Sequence, residues 1–397
     1  MKIATMLFGA VTGGLLGGCE MLDPAGDGDG GTGGDGKTCS SARLVAGSPG
    51  FGGSLDEPSR WNPSGHPAFA EPPLRMLNLA GRGSKLLVST QQALWQLDLA
   101  AANPTFARVF GDDVLSLLQY RPTGTCAAGR MMAGDGLALL PDGRAVIGDA
   151  WGNGVLELSD PFSASCAVKS IAGTQVPLDM RDLMTGQIYE PGDVVGPGAQ
   201  ARFRRPNDAT SDAAGNLFVW DDGNESIKKI ANDAARTVSK VFDLPTDMNN
   251  VNSMATLGGK LYAAGGMSGG DRIVEIDLTT GAVRDVVRGA AFPEAGGSTG
   301  NPIAMTSDGR DLIVFLWKGY IYRVSLAGEV TLIAGKGRTE SSTEAAELDP
   351  AGVPALELPL EFSDMVDYAN LYWNDGHLFV TANYGGVGMS IWDLTCD

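Results

Sequence analysis

Short apolar stretches separated by small polar turns recur along most of the chain, and six segments share one order of elements. Each segment has an apolar strand, a turn with Gly, Asp or Asn, a second apolar strand, another polar turn and a third strand. The segments are residues 74–99, 136–158, 207–230, 252–278, 303–324 and 365–394. Short strands at regular spacing predict an all-β protein, and no useful amphipathic helical period interrupts them.

A fourth strand follows some of these segments. Residues 43–47, 169–173 and 331–335 (RLVAG, KSIAG and TLIAG) are versions of one strand. The first copy precedes every segment, whereas the last segment ends with three strands. We therefore expect residues 43–46 to form the outer strand of the last unit, which closes the repeats into a ring. This predicts a β-propeller of six four-stranded blades; seven is the alternative if residues 106–119 hide a degenerate unit.

The third segment and the residues before it carry the most specific motif. The motif comprises GPGAQARF at 196–203, RPN at 205–207, AGNLFV at 214–219, Asp221, GN at 223–224 and IKKI at 227–230. This motif resembles an NHL repeat, and Asp149 with Gly152 and Asn153 repeats part of it. The resemblance covers most of the chain after Leu44. It implies a propeller in which the Asp-x-Gly-Asn pattern mainly serves tight turns.

The N-terminus has the pattern of a bacterial lipoprotein signal. Lys2 precedes an apolar stretch, residues 3–16, that is short for a membrane-spanning helix. The sequence from Leu16 to Cys19 (LGGC) resembles the lipobox, whose cysteine carries lipid after the signal is cleaved. Two or three acyl chains give stable membrane attachment. The resemblance implies a signal peptide at 1–18 and lipidation of Cys19; a plain signal peptide with an incidental cysteine is the alternative.

A Gly/Asp-rich segment separates this cysteine from the repeats. Residues 23–36 (DPAGDGDGGTGGDG) offer nothing to a hydrophobic core, so we expect residues 19–38 to be a flexible tether and 39–397 to form the propeller. The lipid anchor would attach the protein to a membrane of the cell envelope. The resemblance to bacterial lipoproteins implies that Glu20, which is not the Asp that favours inner-membrane retention, directs the protein to the outer membrane if the host is Gram-negative.

The charge of the chain excludes one class of partner. The sequence has 29 basic and 47 acidic residues, a formal net charge of −18. Because such a field repels nucleic acid, we expect no nucleic-acid role. The expected partners are the membrane, through the lipid anchor, and a protein or glycan ligand, with the protein itself a monomer.

Four cysteines remain beside Cys19. Cys39 precedes the N-terminal outer strand and Cys396 follows the last third strand, so ring closure would place them together. Cys126 and Cys166 then pair by elimination, in a compartment that permits disulfides. Free buried thiols are the alternative.

Motifs for catalysis are scarce in the sequence. The two histidines, His66 and His377, lack a metal-binding spacing, and neither a GxSxG elbow nor a Walker loop occurs. The sequence therefore does not predict an enzyme, and no cofactor is evident.

One face of the propeller is the predicted location of function. The turns between second and third strands would place there Asp149, Trp151, Trp220, Asp221, Asp222, Trp317, Asn383 and Tyr384. Three long loops, residues 48–73, 174–204 and 336–359, would reach the same face, and long loops on a rigid scaffold often carry function. In the alternative interpretation, Asp149 and Asp221 only form hydrogen bonds within their own turns, and the tryptophans pack between blades.

These features predict a tethered binding module whose propeller face captures a protein, peptide or glycan. The alternative is a divalent-metal-dependent hydrolase or lactonase, as in six-bladed relatives that hold a cation with Glu, Asn and Asp at the central channel. Asp and Asn are suitable ligands for calcium, which is the candidate metal. No motif of that family matches this sequence residue by residue, so the alternative rests on analogy of fold.

Overall fold

The structure is a computed structural model. It describes residues 38–47, 78–90, 93–101, 104–111, 123–131, 134–174, 190–245, 247–248, 250–266, 271–293, 301–337, 352–360, 370–384 and 388–396. Cys19, the predicted signal peptide, nearly all of the predicted tether, the loop 48–73 and His66 lie outside the described residues.

The described chain forms an all-β propeller of six antiparallel sheets, with β1 (Cys39–Gly47) preceding the first complete blade. Blade I contains β2 (Asn78–Arg82), β3 (Lys85–Ser89), β4 (Ala93–Asp98) and β5 (Phe106–Gly111). Blade II contains β7 (Gly134–Leu139), β8 (Ala145–Asp149), β9 (Gly154–Leu158) and β10 (Ala167–Ala172), with the short β6 (Gly124–Thr125) outside β10. Blade III contains β11 (Pro206–Ser211), β12 (Leu217–Asp221), β13 (Ser226–Ile230) and β14 (Val238–Asp243).

The remaining three blades follow the same order. Blade IV contains β15 (Ser253–Leu257), β16 (Lys260–Gly265), β17 (Arg272–Ile276) and β18 (Val283–Arg288). Blade V contains β19 (Pro302–Ser307), β20 (Leu312–Leu316), β21 (Tyr320–Val324) and β22 (Val330–Ala334). Blade VI contains β24 (Leu371–Asn374), β25 (His377–Tyr384), β26 (Gly388–Cys396) and β1, with β23 (Val353–Pro354) outside β1.

Helical structure in the described residues is limited to single 3₁₀ turns. They are Cys126–Ala128, Gly198–Gln200, Asp222–Asn224, Gly289–Ala291 and Ala355–Glu357. Among the described residues, none of these helices is long and apolar enough to cross a membrane.

The ring closes as predicted. Strand β1 runs antiparallel to β26 from the pair Cys39 and Cys396 to the pair Gly47 and Ser390, so an N-terminal strand completes the last blade. The seven-blade alternative is wrong, because residues 106–111 form β5, which pairs with β4 as the outer strand of blade I.

Both predicted disulfides are present. Cys39 is bonded to Cys396 across the closure of blade VI, over a sequence separation of 357 residues. Cys126, which follows β6, is bonded to Cys166, which precedes β10.

The hydrophobic core is divided among the six blade-to-blade interfaces. Ile147 of blade II packs in a cluster with Leu87 of blade I, and Val146, on the other face of the same strand, packs in a cluster with Val219 of blade III. The cluster that contains Leu86 and Phe379 joins blade I to blade VI. Because both faces of each blade are covered, second strands such as β8, β12 and β20 are buried along their whole length.

Candidate binding face and central channel

The predicted turns lie at one end of the propeller, where each second strand ends beside the start of its inner strand. Register places Asp149 opposite Gly134, Asp221 opposite Pro206 and Leu316 opposite Pro302. We call this end the turn face. The predicted residues on the turns after β8, β12 and β20 therefore lie on the turn face, as do the first residues of the inner strands.

The turn after β8 contains a buried carboxylate and an exposed tryptophan. Asp149 is fully buried, and its Oδ1 accepts the backbone N–H of Gly152 at 3.2 Å. Trp151, two residues later, is 50% exposed. Asn153 has a φ of 60°, and its Oδ1 accepts the N–H of Arg205 at 3.0 Å, which ties this turn to blade III. Trp151 is thus the member of this turn that a ligand could contact.

The turn after β12 is organised around a second buried carboxylate. Asp221 accepts hydrogen bonds from the Arg204 N–H at 2.6 Å, the Asn224 Nδ2 at 2.6 Å and the Lys228 Nζ at 2.7 Å. Burial raises the pKa of Asp221, against the lowering effect of these donors. Trp220 is 1% exposed and belongs to the core between blades III and IV. Neither side chain is open to a ligand on the turn face.

Lys228 explains why Asp221 is tolerated inside the blade. Its ammonium group is fully buried and also contacts the Asp193 carboxylate at 2.9 Å and the Arg202 carbonyl oxygen at 2.7 Å. The ring centroid of Phe203 lies 4.9 Å from the same nitrogen. This pairing satisfies both buried charges, so removal of Lys228 would leave the Asp221 charge buried without a counter-ion.

Asp222 lies at the rim of the turn face. Its carboxylate is 3.3 Å from the Arg205 guanidinium, and the Arg205 side chain is 61% exposed. Arg205 has a φ of 58°, a left-handed conformation that is uncommon for a side chain of this size. Asp135, in β7, lies within the influence of both charges: burial raises its pKa, Arg205 lowers it and Asp222 raises it.

The other three predicted residues of the turn face add no exposed side chain to the described part of the site. Trp317 is partly buried and packs against the core between blades V and VI. Asn383 and Tyr384 form the end of β25, paired with Met389 and Gly388, and their side chains lie outside the part of the chain that the structure describes.

Sequence reasoning missed the central channel. A cavity of about 260 Å³ runs along all six inner strands, β2, β7, β11, β15, β19 and β24. An Asn or Asp stands at or near the start of each inner strand: Asn78, Asp135, Asn207, Asn252, Asn301 and Asn370. This recurrence is visible in the sequence and was the signal for a polar ring around the axis.

The polar residues at the axis join neighbouring blades. Inner strands are sheet edges, so their outward N–H groups have no ladder partner. Asn370 Oδ1 accepts the N–H of Leu79 at 3.2 Å, and Ser253 Oγ accepts the N–H of Met305 at 3.0 Å. Asp208 Oδ2 accepts the N–H of Met254 at 2.6 Å. Side chains of one blade thus satisfy backbone groups of the next.

Asp208 is the one carboxylic acid among the described residues that line the cavity. It lines the cavity, and burial raises its pKa to about 7, against the lowering effect of N–H bonds from Met254 and Ala209. Near neutral pH the carboxyl group is therefore partly ionised at the axis of the propeller.

The channel offers few ligands for a calcium ion. Asp208 is the one carboxylate among the described residues that line the cavity, whereas calcium takes six to eight oxygen ligands. The amide oxygens of Asn78, Asn252 and Asn370 already accept hydrogen bonds from Asn370, Asn250 and Leu79, respectively. Among the described residues, no group of three or more His, Cys, Asp or Glu side chains could hold a metal ion.

Comparisons with known proteins support the repeat architecture. The model of a family described as "Repeat of unknown function (DUF6923)" matches residues 183–346. No curated protein matches the sequence.

Several solved structures resemble the chain at low identity. A streptogramin B lyase is 12% identical, with 83% of this chain and 96% of the lyase covered and a TM-score of 0.49. Virginiamycin B lyase from Staphylococcus aureus is 9% identical, with 83% and 97% covered and a TM-score of 0.48. A gluconolactonase from Xanthomonas campestris is 13% identical, with 91% and 95% covered and a TM-score of 0.47. At these values we draw no functional conclusion from the likeness.

Proposed function

We propose that this chain is a lipid-anchored binding module of the cell envelope, whose propeller captures a protein, peptide or glycan at the turn face and the mouth of its channel. Residues 1–18 act as the signal peptide, Cys19 carries the lipid, and residues 19–38 tether the propeller to the membrane. The outer membrane is the proposed location if the host is Gram-negative, and the protein acts as a monomer without nucleic acid.

The observation that carries the proposal is the central channel with its rim. Trp151 offers an exposed aromatic surface, and Arg205 and Asp222 offer charges of both signs on the same turn face. The cavity of about 260 Å³ has a mostly polar lining that includes hydrogen-bonding groups such as Asn78 and Asp208. Concave sites with precisely placed polar groups are typical ligand sites. The cavity is smaller than a pocket for a drug-sized molecule, so it suits one end of a ligand whose remainder contacts the rim.

The metal-dependent hydrolase remains the second candidate. The recurrence of Asn and Asp at the inner-strand starts favours it, because these residues supply the oxygen atoms that hard cations prefer. The bonding of the amides to one another, and the single channel carboxylate, favour the binding module.

The proposal is tested with glycan and peptide arrays probed with the purified protein. Trp151→Ala removes the exposed aromatic surface of the rim and should weaken binding at least tenfold. Val283→Ala is the control, because Val283 is 43% exposed on the outer strand β18, away from the channel. The proposal is wrong if no array feature binds, or if both variants bind as the wild type does.

A further inference from the structure

The Lys228 side chain brings its nitrogen atom into contact with two carboxyl groups. Its Nζ is 2.7 Å from an Asp221 carboxylate oxygen and 2.9 Å from an Asp193 carboxylate oxygen, and it donates to the Arg202 carbonyl oxygen at 2.7 Å. The Lys228 and Asp221 side chains are fully buried, whereas the Asp193 side chain is 40% exposed. The Phe203 ring, with its centroid 4.9 Å away, packs against the same nitrogen. A buried amine therefore meets one buried carboxyl group and one that is open to solvent.

The contact between Lys228 and Asp221 favours a neutral pair as well as an ion pair. Burial raises the pKa of Asp221, despite the lowering effect of Lys228, so the carboxyl group can take a proton from Lys228 across the 2.7 Å contact. This transfer leaves a neutral amine beside a neutral carboxyl group. A lysine amine that has lost its extra proton is a nucleophile for carbonyl carbons.

The Asp221 carboxyl group is also held by donors that suit acyl transfer. Its Oδ1 accepts the Arg204 backbone N–H at 2.6 Å, and its Oδ2 accepts the Asn224 side-chain amide at 2.6 Å. Attack of an amine on the Asp221 Cγ would place negative charge on Oδ1. A fixed N–H group aimed at that oxygen stabilises the charge, as in an oxyanion hole.

Asp193 is placed to move a proton between the reacting groups. Burial alone would raise the pKa of Asp193, but the hydrogen bonds from Lys240 and Lys228 outweigh it and lower the pKa. The Asp193 carboxylate is therefore ionised at neutral pH. Because it contacts the Lys228 Nζ, it can act as the general base when that nitrogen forms a new bond.

We propose that Lys228 and Asp221 condense to an intramolecular isopeptide bond in the folded protein. Lys228 Nζ forms a bond to the Asp221 Cγ, the bond between Cγ and Oδ2 breaks, and Oδ2 leaves as water. The ammonium group starts with three protons: the first passes to Asp221 directly, the second passes to the leaving oxygen through Asp193, and the third stays on the amide nitrogen. One water is lost, and the step needs no oxidant or cofactor.

The product would keep most of the contacts of the reactants. The amide N–H can donate to the Arg202 carbonyl oxygen, and the amide oxygen keeps the N–H of Arg204. The Asn224 side chain retains its hydrogen bond to the Gly192 carbonyl oxygen at 2.7 Å. One neutral amide replaces two buried charges, whose desolvation is costly, and the water can leave past the exposed Asp193.

The proposal is tested by peptide mapping of the purified full-length protein with trypsin and mass spectrometry. Asp221 and Lys228 lie in one tryptic peptide, because no Lys or Arg stands between residues 206 and 227. We expect this peptide to be lighter by one water, to resist cleavage after Lys228, and to give no fragment ions between residues 221 and 228. A peptide of full mass that is cleaved after Lys228 overturns the proposal.

A second reaction of the same peptide also removes one water. Asp222 precedes Gly223, and a carboxyl group in this context can close on the next backbone nitrogen to form a succinimide. A succinimide leaves the Lys228 amine free, so trypsin still cleaves after Lys228. Loss of water with normal cleavage at this lysine therefore overturns the isopeptide bond.

Variants test the roles of the individual groups. Lys228→Arg keeps the positive charge without the amine and should restore the full mass, and Asp193→Asn should leave most molecules uncondensed. Asp243→Asn is the matched control: Asp243 pairs with Lys240 at 3.0 Å, as Asp193 does, but it is not among the described contacts of Lys228. This control should keep the bond. Complete condensation in Asp193→Asn would overturn the proposed proton path, and the wild-type map decides the bond itself if a variant does not fold.

Discussion

Buried ionisable residues in this propeller have two kinds of surroundings. The Asp221 carboxylate has Lys228 as its counter-ion and accepts hydrogen bonds from Arg204 and Asn224, so these partners all belong to its own turn and its flanking segments. Asp208 receives two backbone N–H bonds and faces the channel. The sequence placed Asp221 in a tight turn through its Asp-x-Gly-Asn pattern. The burial of Asp221 depends on its contacts with Lys228 and Arg204. These contacts form only in the folded blade, so the local sequence could not show that Asp221 is buried.

Protonation of Asp208 should make stability depend on pH. Burial raises its pKa from 3.8 to about 7, so between these values the unfolded chain loses this proton and the folded protein keeps it. Without ligand, the contribution of Asp208 to the free energy of unfolding should therefore fall as the pH rises from about 4 to about 7, by on the order of 4 kcal/mol. Asp208→Asn should remove this dependence and be more stable than the wild type at pH 8.

Urea unfolding at pH 5 and pH 8 measures the effect. Asp233→Asn, whose carboxyl is exposed, serves as the control and should keep the wild-type difference between the two pH values. A difference that survives unchanged in Asp208→Asn would show that other groups cause it.

At the scale of elements, the inner strands of neighbouring blades approach each other closely at the axis. Blades II and III meet where Gly136 of β7 faces the backbone of β11, and a Cβ atom on Gly136 would lie 1.8 Å from the Asn207 carbonyl oxygen. The sequence shows a glycine in this strand, but the backbone that excludes a larger residue belongs to a segment about seventy residues later. The contact therefore emerges only in the assembled ring.

Gly136→Ala should force blades II and III apart. Overpacking of this kind costs about 1–3 kcal/mol or more, since backbone rather than a flexible side chain must move. Gly258→Ala is the matched control: Gly258 has a φ of 58° and nothing within 4 Å of its Cβ position, so it should cost only about 1 kcal/mol of backbone strain. Thermal unfolding compares the two variants, and equal losses would contradict the close approach.

At the scale of the whole molecule, the ring depends on joining the two ends of the repeat array. The nine residues of β1 complete blade VI, and the Cys39–Cys396 disulfide fixes them to the last strand. The sequence predicted this closure because an extra strand at the beginning and a missing strand at the end are local observations. The six-blade count followed from the same repeats.

Removal of the closing disulfide should lower stability more than removal of the other one. Cys39→Ser with Cys396→Ser opens a loop of 357 residues, for which the chain-entropy model gives on the order of 5 kcal/mol. Cys126→Ser with Cys166→Ser opens a loop of 40 residues and should cost less. Thermal melts of the two double variants under non-reducing conditions test the order; the reverse order would contradict a closure that depends on Cys39 and Cys396.

The proposed lipid anchor belongs to the same scale and is a prediction from the sequence. Cys19→Ala should abolish incorporation of labelled palmitate and move the protein from the membrane to the soluble fraction of expressing bacteria. Cys126→Ser with Cys166→Ser is the control and should keep both label and membrane location. Palmitate that persists in Cys19→Ala would contradict lipidation at this residue.

The channel marks the limit of prediction from this sequence. Each blade contributes two to four residues to it, among them Asn78, Asp208 and Asn370, and the six segments are far apart along the chain. Short strands and turns follow local rules and were predicted well. A cavity built from six distant segments required the register of every blade, which repeats alone do not fix.

Hydrogen–deuterium exchange of the wild-type protein, with and without the strongest array ligand, tests most directly where function resides. A ligand bound at the channel and the turn face should slow exchange in the inner strands β11 and β15 and in the turn that carries Trp151, with no change in the outer strand β18. Protection confined to outer strands such as β14 and β18, or no protection at all, would contradict a binding module that works through its channel and turn face.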